Sequence, residues 1–138
     1  GTSISGLQSE MIENFAEICY GLANKQYVKP IFKYKYGASF TLSTVADIEK
    51  WSTIKAPDDA ESWLKLEHYA KYDGIYYLAP RKQNTVGAII AMSNNIDSLY
   101  DILVDRYGKL ETTILDPIPT KESINNIVKK FNDYGIKF

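Results

Sequence analysis

Twelve consecutive residues, Lys25-Gln26-Tyr27-Val28-Lys29-Pro30-Ile31-Phe32-Lys33-Tyr34-Lys35-Tyr36, hold four lysines, four aromatics and no acid. Read as a strand over 31–36, they place Phe32, Tyr34 and Tyr36 on one face and Ile31, Lys33 and Lys35 on the other. A basic, aromatic strip of this kind can stack bases and neutralise phosphates. The candidate binding residues are therefore Lys29, Lys33, Tyr34, Lys35 and Tyr36, with single-stranded nucleic acid as the ligand they would suit. A structural account competes. The aromatics would pack on the preceding helix, the lysines would keep an edge strand soluble, and Pro30, which has no N–H to donate, favours an edge.

Asp97, Asp101 and Asp105 recur every four residues, so a helix would carry all three carboxylates on one face. With oxygens from a second element such a row could hold Mg²⁺ or Mn²⁺, which makes a carboxylate-only, metal-dependent hydrolase or nuclease another class to consider. The alternative is a solvated face opposite Leu99 and Leu103, with Asp97 favouring the helix dipole. Asp58, Asp59, Glu61, Lys65 and Glu67 form a second acidic group. Nuclease carboxylates of that kind sit on strands as Asp and Glu-x-Lys, whereas the order here is helical, and helix capping accounts for Asp58 and Asp59.

His68 is the only imidazole, so any histidine acid–base chemistry must use it. Its neighbour Glu67 would point about 100° away on a helix, which makes no natural pair. Cys19 and His68 together cannot supply the four ligands of a structural zinc. No Walker loop, GxGxxG or GxSxG is present. These absences leave no catalytic residue to assign and no metal or cofactor to expect.

Bulk composition turns the expectation toward recognition. The chain has 138 residues, 45% hydrophobic and 24% charged, with a net charge of −1, so no global field draws it to nucleic acid or anionic lipid. Eleven tyrosines stand against five phenylalanines and two tryptophans, and tyrosine suits surfaces that are half buried and half wet. The leading expectation is a non-enzymatic domain that binds another protein, or itself, through a tyrosine-rich sheet surface. No apolar run nears the ~18 residues of a membrane span, no leader pattern opens the chain, and Cys19 has no internal partner. These features read as a soluble, cytoplasmic protein without a membrane partner.

The elements that must position these residues follow from periodicity. Met11, Ile12, Phe15, Ile18, Cys19 and Leu22 predict a helix over 8–24. A strand is expected over 27–36, a turn at Gly37 and a partner strand over 39–43. A short helix is expected over 44–51, and another from Asp58 through Ala70, ended by Asp73-Gly74. Strands over 75–78 and 86–92, joined by the turn 80–84, precede a helix over 96–107 capped by Asn95. A strand over 111–115, a helix capped by Thr120 with Ile124, Ile127, Val128 and Phe131 as its stripe, and a short edge strand over 135–138 complete the reading.

This order predicts an α+β fold, one compact domain over 1–138 with a mixed, mostly antiparallel sheet and helices on one face. Residues 1–6 are expected to form a flexible tail, with Gly1-Thr2 left over from cloning. Phe15, Ile18, Trp63, Leu66, Leu99, Leu103, Ile127 and Phe131 are the expected core.

Overall fold

Thr85–Ser93 (Thr-Val-Gly-Ala-Ile-Ile-Ala-Met-Ser) is the most apolar strand of the chain and the one around which it is built. The computed structural model describes residues 3–136. In it this strand, β6, lies between β1 (Tyr36–Ser43) and β3 (Leu64–Leu66). A second three-stranded sheet has β5 (Ile75–Leu78) between β2 (Ser52–Lys55) and β4 (Tyr69–Tyr72), and every pairing is antiparallel. The helices are α1 (Ser3–Met11), α2 (Phe15–Ala23), α3 (Leu99–Gly108) and α4 (Lys121–Asp133). The α+β class is as expected, with two small sheets in place of one.

The registers of the two sheets run on from one another. Ser43 faces Thr85 and Ser52 faces Leu78; Leu66 faces Gly87 and Tyr69 faces Leu78. Three runs of chain, 36–55, 64–72 and 75–93, thus each pass through both sheets, with the last in the middle. The bend falls where pairing lapses: at 44–51, at Glu67-His68 and at 79–84. His68 takes φ 51° there, a left-handed conformation that breaks a strand. Successive β6 residues point to opposite faces, and Ile89 and Ile90 are both fully buried, so both faces are covered. Helices α1 and α3 pack against this strand. Leu42, Ile54, Trp63, Tyr76, Leu78, Leu99, Leu103, Leu110 and Leu115 join it in one core.

Several expected elements take another form, each for a visible reason. The helix over 8–24 is broken at 12–14, because Ile12 bridges to Phe32 and the chain pairs there with residues 31–33. That same pairing replaces the strand over 27–36; β1 starts only at Tyr36. No helix forms over 44–51: Thr44 Oγ1 accepts from the Ala46 N–H but donates to the Ile114 carbonyl, which ties the segment to residues 110–116. The helix from Asp58 stops after one 3₁₀ turn, Asp58–Ser62, and residues 64–72 become β3 and β4. Asp73-Gly74, with φ 48° and 73°, is the tight turn of a β4–β5 hairpin.

The expected strands over 75–78 and 86–92 are present, the second as Thr85–Ser93, but belong to different sheets. Residues 111–115 make isolated bridges to Lys55 and Thr44 in place of a full strand. Helix α3 follows a 3₁₀ turn capped by Asn95, and α4 is capped by Thr120, both as the sequence predicts. Ser3 to Gly6 are helical, so they do not form a tail; Gly1 and Thr2 lie outside the described residues. Of the edge strand over 135–138, Lys137 and Phe138 lie outside them too, and Gly135 and Ile136 carry no strand.

The expected core divides. Trp63, Leu99 and Leu103 are buried, Phe15, Ile18 and Leu66 are half buried, and Ile127 and Phe131 on α4 are exposed. Truncation should follow this division. Leu103→Ala is expected to lose about 2–5 kcal/mol in chemical denaturation, whereas Ile127→Ala should stay within about 0.5 kcal/mol of the parent. Equal losses at the two positions would contradict the packing described.

Candidate functional site

The stretch that the sequence marks as a binding strip lies on a projection from the body. After α2 the chain turns at residues 24–26 and runs back beside the start of that helix. Glu13 N–H donates to the Ile31 carbonyl at 2.8 Å and Lys33 N–H to the Met11 carbonyl at 2.9 Å. The Asn14 side chain closes the neck from both ends, donating to the Lys29 carbonyl and accepting from the Ile31 N–H, each at 2.9 Å. Gly21 faces the returning strand so closely that an added Cβ would stand 2.5 Å from Val28 Cγ2. Residues 14–31 are thus a locally packed arm.

Much of what the arm shows to solvent is apolar. Helix α2 carries one charge, Glu17, yet Tyr20 is 73% exposed, Leu22 71% and, on the return, Tyr27 85%. Ile31, Phe32 and Tyr34 are exposed as well. A helix apolar around most of its circumference is ordinarily covered, and this one is not.

Lys50, Lys55, Lys65, Lys71, Lys109 and Lys121 each hold a carboxylate. Among the described residues Lys25, Lys29, Lys33 and Lys35 carry no ion pair, a state they share with Lys82, Lys129 and Lys130. Lys35 lies over the Tyr36 ring at 5.0 Å, and the Tyr36 hydroxyl and its field hold the ammonium above its ordinary pKa. Lys29 thus stands on the arm, Lys33 and Tyr34 follow its neck, where Lys33 N–H meets Met11, and Lys35 and Tyr36 lead into β1. The structure does not form the single aromatic strand face.

The acidic candidates are engaged elsewhere. Asp97 sits in the 3₁₀ turn before α3, Asp101 meets Lys121 at 3.4 Å and Asp105 meets Lys109 at 2.7 Å. Glu61 holds Lys71 at 2.7 Å, which draws its carboxyl below the ordinary value. Lys65 reaches Glu10 of α1 and the Glu61 carbonyl. Among the described residues no three of His, Cys, Asp and Glu gather as a metal site would require.

His68 and Glu67 line a cleft of about 370 Å³ at the bend, with Pro80, Arg81, Lys82, Gln83 and Thr85. Arg81 Nε donates to the Ala79 carbonyl at 3.2 Å, while its Nη1 is buried without a hydrogen-bond partner. That buried nitrogen is closed to solvent and so is not presented to a ligand in the cleft.

A second tyrosine group joins β5, a strand the sequence predicts, to β4, where the sequence predicts the end of a helix. Tyr72 and Tyr77 lie on the outer face of the second sheet, and Tyr69 packs on Tyr76 with ring centres 5.4 Å apart. The signal was there: Asp-Gly between two tyrosine-rich runs is a hairpin signature. No helix among the described residues is long and apolar enough to cross a membrane. Comparison with family models, with curated proteins and with solved structures finds no match.

Proposed function

We propose that the chain is a recognition domain that docks onto another protein through the α2 arm. One observation carries the reading: uncovered apolar side chains and unpaired lysines coincide on the same locally rigid projection. Tyr20 and Leu22, about 200° apart around α2, and Tyr27 offer apolar area on more than one side of the arm, so the groove would enclose it, and burying each large side chain is worth roughly 1.5–3 kcal/mol before the costs of association. Lys25, Lys29 and Lys33 supply charge that speeds encounter and selects a groove with an acidic rim. Because Asn14 and the Gly21–Val28 contact order the arm beforehand, little entropy remains to be lost on binding. The tyrosine-rich recognition surface expected of the chain is in this reading centred on the arm more than on the sheet. Nucleic acid would use the same lysines, but the aligned stacking face that a single strand needs is missing.

Cys19, the sole cysteine, is exposed on α2 and offers a handle for a thiol-reactive photocrosslinker. The reading expects a discrete protein adduct in an extract of the source cells. It should be lost with Leu22→Asp and weakened by salt, since screening shortens the reach of the lysines. An adduct indifferent to Leu22→Asp, or retention of the unlabelled chain on oligouridine with no protein adduct, would refute it.

A further inference from the structure

The two outer edges of the bent sheet are treated differently. Along β1 and β2, residues 111–116 lie alongside: Lys55 and Glu111 exchange backbone hydrogen bonds at 3.2 and 2.9 Å, Val45 N–H donates to Ile114 and Asp116 N–H to Ser43. No described residue covers β4 in this way, and all four of its residues are exposed.

The hairpin turn fixes which groups β4 presents. Tyr72 and Ile75 flank the two-residue turn and form a hydrogen-bonded pair, so pairing alternates back along the strand. The Ala79 N–H bond to the His68 carbonyl at 2.8 Å keeps that phase. Ala70 therefore bonds inward to Tyr77, while the N–H and C=O of Tyr69 and of Lys71 point to the open edge. No backbone acceptor among the described residues takes either N–H.

We infer that β4 is a self-pairing edge, joining antiparallel to β4 of a second copy about a twofold axis through Ala70. The register is self-complementary. Tyr69 of one copy would face Lys71 of the other, both with outward backbone groups, which makes four backbone hydrogen bonds. Ala70 would meet Ala70 on the outer face, the smallest side chain of the strand at the closest approach. Lysine would never face lysine. A lysine on an edge ordinarily deters pairing, but Lys71 is drawn away: its Nζ is 2.7 Å from Glu61 Oε1 and 5.2 Å from the centre of the Tyr76 ring. Tyr72, 75% exposed on the outer face, would gain cover from the second copy. A four-residue edge buries little area, so the association is weak and concentration-dependent.

The test is the solution mass of the whole chain by sedimentation, raised to roughly millimolar concentration, together with amide exchange at Tyr69 and Lys71. The inference expects mass to climb from 15.7 kDa toward twice that value. The Tyr69 and Lys71 amides should slow on concentration while the exposed amides of the arm do not. Lys71→Pro removes an outward N–H, a change an edge tolerates, and should leave a folded monomer; Lys71→Ala keeps the N–H and should still pair. A chain monomeric throughout, with both amides unprotected, overturns the inference. So does a dimer that survives Lys71→Pro, and so does one lost only with Leu22→Asp, which would assign self-association to the arm.

Discussion

Gly87→Ala should destabilise the chain by about 3–5 kcal/mol, combining backbone strain with overpacking, which is a large share of the stability of a domain this size. Gly87 holds φ 149°, a conformation that L residues rarely adopt. The methyl group of alanine would arrive 2.2 Å from the Lys65 carbonyl oxygen and 2.7 Å from Leu66 Cα. Both obstacles are backbone, so no side chain can swing aside. Strand β3 is itself held by β6 and by the Lys65–Glu10 ion pair to α1, which limits how far it can retreat. Gly108 serves as the control. At the end of α3 an added Cβ meets nothing within 4 Å, so Gly108→Ala should be neutral or gain a few tenths of a kcal/mol. Urea unfolding of the two variants decides the matter, and a loss under about 1 kcal/mol at Gly87 would mean that β3 and β6 do not approach as described.

How much of this was legible in the sequence depends on whether the deciding contact is local. Helices α3 and α4 are found where Asn95 and Thr120 place them, because a cap satisfies its own neighbours and needs nothing distant. The strands over 75–78 and 85–93 are likewise visible in their β-branched and aromatic content. Residues 58–70 fail for the opposite reason. An acidic start predicts a helix, but Trp63 has to enter the core and its carbonyl is taken by Ile90 N–H at 2.9 Å, so the chain leaves the turn as a strand. Asp73-Gly74 suits a helix stop as well as a hairpin turn, so the β4 edge is visible only once β4 is paired with β5.

The arm shows a subtler limit. Alternation over 31–36 fits a strand, and only the distant reach of Asn14 to Lys29 and Ile31 makes that segment part of a closed loop. Its composition was visible; which lysines find a carboxylate, as Lys50, Lys55, Lys65, Lys71, Lys109 and Lys121 do and those of the arm do not, belongs to the folded state. Helix α4 has a clear apolar stripe, yet Ile127 and Phe131 stay exposed, since periodicity names a face without naming what covers it.

Trp63→Ala should cost a similar amount, on the order of 3–5 kcal/mol, through two linked losses. The indole is 2% exposed in the main core, so truncation leaves a large cavity. It also uncovers Arg106. That guanidinium lies 5.7 Å from the Trp63 ring centre, donates to the Ile90 carbonyl, and is pushed below its ordinary pKa chiefly by burial. A cation half removed from water depends on such neighbours, and the ring's negative face is one of them. Trp63→Phe keeps an aromatic face with less volume and should lose only about 1–2 kcal/mol. Fluorescence separates the native states without a denaturant, because the remaining Trp51 is 63% exposed. Native Trp63→Ala should therefore emit only the red-shifted component of an exposed indole. If it instead kept a blue-shifted native spectrum and unfolded at the parent's midpoint, Trp63 would not be the buried ring, and the kink that turns residues 58–70 from helix to strand would lose its cause.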